Sequence, residues 1–300
     1  MQRIKTMNYC KVKAAAKLNL TLDITGSADG YHLLDSLVVS LDLCDLVTAK
    51  RRKDGAVKVY SYGEGTELLP ESENNAYKAA KLFAKEFQTG GVDLKIYKNI
   101  PVGAGLGGSS ADAAGALHAM RRLYLQEVTP EIEERILKIA DQTGSDTRAM
   151  YLGGAVRMRG RGEIAERVLL FPERIKEKKK LYFLLICPCT GVSTPRCFRK
   201  YDESGIAYPP ATQQAVEKYL DGDAEGLGKL LKNDLRVAAC ELNADVEKAV
   251  GEAEWFSPLG AGMTGSGSAA YAMFDTREML DWAYSRYKGD FRAIRAESAF

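Results

Sequence analysis

The stretch from Pro101 to Asp112 reads PVGAGLGGSSAD, and it constrains this chain more than any other. Glycines stand at Gly103, Gly105, Gly107 and Gly108, followed by Ser109 and Ser110. Before it, Val92-Asp93-Leu94-Lys95-Ile96-Tyr97 alternates apolar and polar, which predicts a strand. After it, Ala113, Ala116, Leu117, Met120, Leu123 and Tyr124 recur at helical spacing, which predicts a helix over 111–124. A chain that runs strand, glycine-rich turn, helix presents bare backbone at the start of a helix. Glycine tolerates positive φ and lets backbone approach a ligand closely. The free N–H groups and the positive end of the helix dipole attract an anion. These features together predict a phosphate cradle. The competing reading is a plain connector whose small residues serve close packing. No Gly-Lys-Ser/Thr follows, so this is not a Walker A loop. Gly103, Gly105 and Gly108 fit the dinucleotide spacing, but no acidic ribose partner stands downstream.

The rest of the chain sets the frame for that loop. Its 300 residues allow one large or two medium domains. Lys and Arg number 42 against 40 Asp and Glu, a net charge of +2. That balance does not suit a polyanion binder, so no nucleic-acid partner is expected. No apolar run of spanning length and no secretory signal is visible, so no membrane partner is expected. The six cysteines (Cys10, Cys44, Cys187, Cys189, Cys197, Cys240) are scattered. Cys187-Pro188-Cys189 lacks the second pair and the nearby histidines of a zinc site. Reduced thiols of a cytoplasmic protein are the expectation.

Periodicity predicts strands over 12–24, 38–47, 153–161, 181–186 and 269–274. It predicts helices over 75–87, 130–143, 211–239 and 246–255. Pro130 suits a helix start, where a missing N–H costs nothing. Strands and helices mix without strict alternation, so the fold class is α+β. The charge-rich stretch 173–180 reads as a linker and divides the chain into domains 1–172 and 173–300.

Three ordered segments then carry a resemblance. Ala16-Lys17-Leu18-Asn19-Leu20 is followed by Asp29-Gly30-Tyr31-His32. The glycine loop comes next, and Gly260 to Ser268 reads GAGMTGSGS. In this order they resemble the GHMP kinase superfamily. Asp-Gly-Tyr-His narrows the likeness to the branch that phosphorylates a cytidine diphosphate alcohol on the non-mevalonate route to isoprenoids. Asn233-Asp234-Leu235 and Gly160-Arg161-Gly162-Glu163 agree with that branch. The chain departs from its usual pattern in places. Ala15 replaces a proline, Ala111 separates the serines from Asp112, and Gly144-Ser145-Asp146-Thr147-Arg148-Ala149 stands where Gly-Ala-Asp-Val-Pro-Phe is usual.

The resemblance implies two α+β domains with the active site in the cleft between them, and ATP with Mg²⁺ as cofactors. It makes Asp146 the general base and Lys17 the residue that stabilises developing negative charge. Asn19, two residues on, shares a strand face with Lys17 and would orient the acceptor hydroxyl. ATP would be held by Pro101, Gly103, Gly105, Leu106, Gly107, Gly108, Ser109 and Ser110, with Asn74 and Lys98 nearby. Asn74 reads equally well as a helix N-cap. Ser109 and Ser110 suit either a metal or a helix cap. The alcohol's base would meet Tyr31, His32 and Phe198, and its phosphates the backbone of Gly265, Ser266 and Gly267. His118 reads as structural, and Arg157, Arg159 and Arg161 as an exposed strand face. The same superfamily includes kinases of the homoserine and mevalonate type. A silent ligand sensor on this scaffold would have no need of Lys17 and Asp146.

Overall fold

The computed structural model of the chain describes residues 7–63, 66, 73–169 and 180–299. In chain order its strands are β1 (Tyr9–Asn19), β2 (Thr21–Ala28), β3 (Tyr31–Arg51), β4 (Val57–Tyr62), β5 (Val92–Tyr97), β6 (Ala155–Gly160), β7 (Ile164–Arg167), β8 (Tyr182–Cys187), β9 (Lys232–Asn233), β10 (Gly260–Met263), β11 (Ala270–Phe274) and β12 (Arg292–Glu297). Its helices are α1 (Asn75–Glu86), α2 (Gly108–Tyr124), α3 (Pro130–Asp141), α4 (Thr147–Leu152), α5 (Thr194–Ser204), α6 (Thr212–Asp221), α7 (Ala224–Gly228), α8 (Arg236–Leu242), α9 (Ala244–Glu254) and α10 (Arg277–Arg286). They fall into two compact units that alternate along the sequence. One holds Met1–Ala16, Cys44–Ile100 and Gly108–Tyr151; the other holds Lys17–Leu43, Pro101–Gly107 and Leu152–Phe300. Residues 173–179 of the expected linker lie outside the described residues.

In the first unit, β4 runs parallel to β5, and β5 pairs antiparallel with Leu46–Arg51 of β3. The helices form where the sequence caps them. Asn74 Oδ1 accepts the N–H groups of Ala76 and Tyr77 and starts α1, whose Ala76, Ala79, Ala80 and Phe83 form its buried stripe. Thr129 caps α3 with Pro130 in its first turn. Phe83, Leu94, Ile96, Leu117, Met120 and Ile136 are fully buried and form the core. The small residues of α2 let it sit close to the sheet. A Cβ on Gly115 would lie 2.8 Å from Val47 Cγ2 and 3.0 Å from Ala14 Cβ. That contact fixes how deep α2 lies, and so where its first turn is held.

The second unit is built on a four-stranded antiparallel sheet in the order β10-β11-β8-β12. The apolar run Phe183–Cys187 is buried because β8 has a strand on either side and helices over it. Ala249 and Val250 of α9 and Leu280 of α10 pack on Leu184, Ile186, Ala272 and Phe274. The same unit pairs β2 and β6 with the first half of β3, all antiparallel, and adds β9 parallel to β2.

Two sequence-based expectations differ in detail. The strand expected over 12–24 is interrupted at Leu20 and forms β1 and β2. The helix expected over 211–239 is three helices and a short strand. Gly222 adopts φ 72° and caps α6 through its N–H to the Lys218 and Tyr219 carbonyls, ending that helix.

The α2 contact gives a direct test. Gly115→Val should overpack the helix–sheet seam and lower stability by about 1–3 kcal/mol in urea unfolding. An unchanged midpoint and slope would show that the seam can open without cost.

Candidate active site

The candidate residues fall into both units. Lys17, Asn19, Tyr31, His32, Phe198, Pro101 to Gly107 and Gly265 to Gly267 belong to the second; Asn74, Lys98, Gly108, Ser109, Ser110 and Asp146 belong to the first.

In the second unit, alternation along β1 turns Lys17 and Asn19 to one side, and both are 4% exposed. Lys17 Nζ donates to Asn19 Oδ1 at 2.5 Å. That same oxygen accepts the Gly265 N–H at 3.0 Å and the Thr264 hydroxyl at 3.3 Å. Asn19 Nδ2 donates to Ser36 Oγ at 2.8 Å, and the Asn19 N–H donates to Thr264 Oγ1 at 3.1 Å. Asn19 is thereby the holder of Lys17 and of the Gly265 turn. Two glycine-rich segments meet here backbone to backbone. The Ala269 N–H donates to the Ala104 carbonyl at 3.1 Å, and the Lys17 N–H to the Leu106 carbonyl at 3.0 Å. Gly105 has φ +77°, and a Cβ there would fall 2.2 Å from the Thr264 carbonyl oxygen, so only glycine fits. Ser266 Oγ lies 2.8 Å from Thr194 Oγ1.

A second cluster in this unit gathers around His32. Its ring stacks on Phe198 with centroids 4.7 Å apart and planes at 22°, and Tyr201 meets it edge-on at 6.3 Å. His32 Nε2 lies 2.7 Å from Asp202 Oδ1. Since a carboxylate accepts, Nε2 carries hydrogen, and in the uncharged form of the ring Nδ1 is then an acceptor. Tyr31, the next residue on β3, points to the other side. It lies under Arg161, whose guanidinium is 4.4 Å from the ring centroid and pairs with Asp29 at 2.7 Å. Asp202 carries no local mark of this role in the sequence; it is separated from His32 by 170 positions.

In the first unit, Asn74 acts as the N-cap of α1, and the next residue reaches the glycine loop: Asn75 Nδ2 donates to Ser109 Oγ at 2.9 Å. The turn before Asp146 lies beside Ser110. A Cβ on Gly144 would be 3.0 Å from Ser110 Oγ and 3.0 Å from Thr147 Oγ1. Asp146 directly precedes α4 and its carbonyl accepts the Met150 N–H at 3.0 Å. The Lys98 ammonium faces Asp45 and Asp112, the latter at 2.6 Å, and the Gly108 carbonyl at 3.5 Å. Burial works against this charge, and the two carboxylates more than offset it, so the Lys98 pKa is raised. Burial pushes the Asp112 carboxyl up to about 7, with Lys98 pulling the other way and Asp45 adding to the rise. His118 stacks on Tyr151 at 4.2 Å and reads as structural.

In the second unit, Arg157, Arg159 and Arg161 each have their own carboxylate, in Asp35, Glu166 and Asp29. They do not converge as an anion site. Among the described residues, no group of three or more His, Cys, Asp or Glu could hold a metal ion. No helix among them is long and apolar enough to cross a membrane.

Residues 74–154 match the GHMP kinases N terminal domain and residues 212–289 match the GHMP kinases C terminal domain. A protein of Clostridium tetani named 4-diphosphocytidyl-2-C-methyl-D-erythritol kinase is 32% identical over 95% of this chain and 98% of its own length. One of the same name from Pelotomaculum thermopropionicum is 34% identical over 92% of each chain. A crystal structure of 4-(cytidine 5'-diphospho)-2C-methyl-D-erythritol kinase is 27% identical, with a TM-score of 0.77 over 97% of this chain and 100% of that one. Homoserine kinase from Cytophaga hutchinsonii shares the fold at a TM-score of 0.72, with 17% identity and coverage of 100% of this chain and 97% of that one. The chain is a small-molecule kinase of the two-domain α+β GHMP fold, and it belongs to the 4-diphosphocytidyl-2-C-methyl-D-erythritol kinase family.

The amide of Asn19 supplies the test of this geometry. Asn19→Ala takes the buried acceptor from the Gly265 N–H and leaves the Thr264 hydroxyl its other contact, to the Gly105 carbonyl at 3.4 Å. Thermal or urea unfolding should show a loss of about 1–3 kcal/mol. Parent-like stability would mean that the two turns do not depend on this amide.

Proposed function

We propose that this chain transfers the γ-phosphoryl group of ATP to the 2-hydroxyl of 4-diphosphocytidyl-2-C-methyl-D-erythritol, a step of non-mevalonate isoprenoid precursor synthesis. The observation that carries the substrate is the His32–Phe198 stack tied to Asp202. A cytosine ring has a π-face for Phe198 and an exocyclic amino group that can donate to His32 Nδ1. Uracil has a carbonyl oxygen at that position, which would face an acceptor with no hydrogen between them. Names carried by the relatives agree with this choice.

ATP supplies the transferable phosphoryl group. The residues of this chain would hold it by backbone N–H groups where the glycine loop turns into α2, which begins at Gly108. Mg²⁺ neutralises charge on the phosphate oxygens when bound. The Ser109 and Ser110 hydroxyls are hard oxygen donors suited to it, and phosphate and water would complete its shell. Phosphoryl transfer asks little covalent work of a protein beyond positioning and charge. Asp146 takes the proton of the acceptor hydroxyl, and Lys17 stabilises the charge that develops. Asn19, its Oδ1 already engaged, acts on the reaction through Lys17. The cytoplasm is the proposed location, in keeping with six cysteines that are not joined in disulfides.

Two outcomes follow. Asp146→Asn should depress kcat by roughly 10²- to 10⁴-fold, with ATP affinity nearly intact, the range for loss of a positioned base. A steady-state assay returning parent-like kcat would remove Asp146 from that role. CDP should inhibit the parent enzyme better than UDP, and His32→Ala should erode the difference. Phe198→Ala should raise the KM for the cytidine substrate by roughly ten- to hundredfold, as loss of one base stack implies, without moving the KM for ATP. Equal inhibition of the parent by CDP and UDP would refute cytosine reading.

A further inference from the structure

Lys98 occupies a place that the kinase reading does not explain. It stands directly before the glycine loop, where a cation would be expected to meet phosphate. An ammonium has three hydrogens to give. In this structure one goes to Asp45, one to Asp112 Oδ2 at 2.6 Å, and the third, longer, contact is to the Gly108 carbonyl at 3.5 Å. The Lys98 side chain is 10% exposed. Nothing in that arrangement is aimed outward.

The partners are what give the arrangement meaning. Asp45 holds the chain where it enters the loop: its Oδ1 accepts the Asn99 N–H at 2.6 Å and the Ile100 N–H at 2.9 Å. Asn99 adds a bond from its side chain to the Cys44 carbonyl at 3.0 Å. Asp112 and Gly108 lie where the chain leaves the loop, in the opening turns of α2. A Cβ on Gly108 would lie 3.4 Å from Ile100 Cγ2 and 3.5 Å from Lys98 Nζ, so entry and exit are packed on each other. Asp112 Oδ1 is buried and, among the described residues, has no hydrogen-bond partner. Its Oδ2 accepts from Lys98, which joins the opening turns of α2 to the residue that precedes the loop.

We propose that Asp45, Lys98 and Asp112 form a charged clamp that sets the distance and register between the two ends of the glycine loop. Lys98 is then a positioning residue. It acts on the nucleotide through the shape of the loop and does not touch phosphate. The need is physical: three of the loop's residues from Pro101 to Gly107 are glycines at positive φ, and glycine loses more freedom on ordering than any other residue. Fixing both ends before the ligand arrives removes part of that cost from binding. The proposal rests on the reading of this loop as the ATP phosphate site.

Lys98→Met in the full chain is the test, with ADP affinity by calorimetry, steady-state kinetics, and amide hydrogen exchange over residues 101–110 without nucleotide. The clamp predicts faster exchange in that segment before any ligand is added. It also predicts a rise of roughly 10- to 100-fold in the ADP dissociation constant and the KM for ATP, the scale for a displaced positioning element. The KM for the alcohol should hold. Weaker ADP binding with unchanged exchange in the free protein would make Lys98 a direct phosphate ligand and overturn the clamp. ADP binding and exchange both like the parent's would overturn it as well. If Lys98→Met does not fold, Lys98→Arg keeps the charge but brings a wider, planar head, and the same readouts should move in the same directions. Failure of the parent itself to bind ADP would instead refute the phosphate reading of the loop.

Discussion

The side-chain amide of Asn19 is the interaction on which the second unit's chemistry depends. Lys17 is an almost fully buried cation, and a buried charge is tolerated only where polar groups replace water. Asn19 Oδ1 is such a group, and it does not serve Lys17 alone. By also accepting the Gly265 N–H and the Thr264 hydroxyl, it ties the end of β1 to the turn after β10. Tyr271 reinforces the tie, its hydroxyl donating to the Asn19 carbonyl at 3.1 Å. Networks of this kind strengthen in a low dielectric, and they penalise any arrangement that leaves one member unpaired. The amide therefore sets where Lys17 can be.

Main chain, more than side chain, shapes the surfaces around that amide. At Gly105 the missing side chain allows the Thr264 carbonyl to approach within a distance no Cβ would permit. In the turn after β10 the N–H groups of Gly265 and Gly267 are engaged within the protein, by Asn19 Oδ1 and the Thr264 carbonyl. The weakness of main-chain contacts is backbone freedom. In the second unit that freedom is curbed by bonds from Leu106 and Ala104 to Lys17 and Ala269. In the first unit the ends of the same segment are held by Asp45 and by the seam between α2 and the sheet at Gly115.

Much of this was legible in the chain because its signals are local. The helix stripes of α1 and α3, the alternation of β5 and the glycine run each lie within a few residues, and the structure has an element at every one. Gly222 was also visible as a residue, but the apolar spacing on both sides concealed that it ends a helix. What the sequence could not reveal is pairing at a distance. His32 and Asp202 lie 170 positions apart, and Lys98 and Asp45 lie 53 apart. Neither carboxylate carries a local mark of its partner. Lys98 stands beside the loop in sequence, and nothing local marks Asp45 and Asp112 as its partners. Tyr31 and His32 are neighbours in sequence, and neighbours on a strand face opposite ways, which puts Arg161 over the one and Phe198 against the other.

The departures after Asp146 are a case where structure reduces an apparent difficulty. Arg148 stands where the resemblance has proline, and a new cation beside a proposed base could change its chemistry. In the structure that guanidinium is spent elsewhere. It forks onto Asp141 at 2.7 and 2.8 Å, with Glu134 at 3.6 Å, and those carboxylates hold its pKa above the ordinary value. Thr147 is fully buried, and its hydroxyl belongs to the close packing around Gly144. The turn carrying Asp146 is therefore located by Gly144 against Ser110 on one side and by the first turn of α4 on the other. Of the departing side chains, Thr147 and Ala149 are buried within this packing and Arg148 turns to Asp141, so none of the three adds a free charge to the turn that carries Asp146.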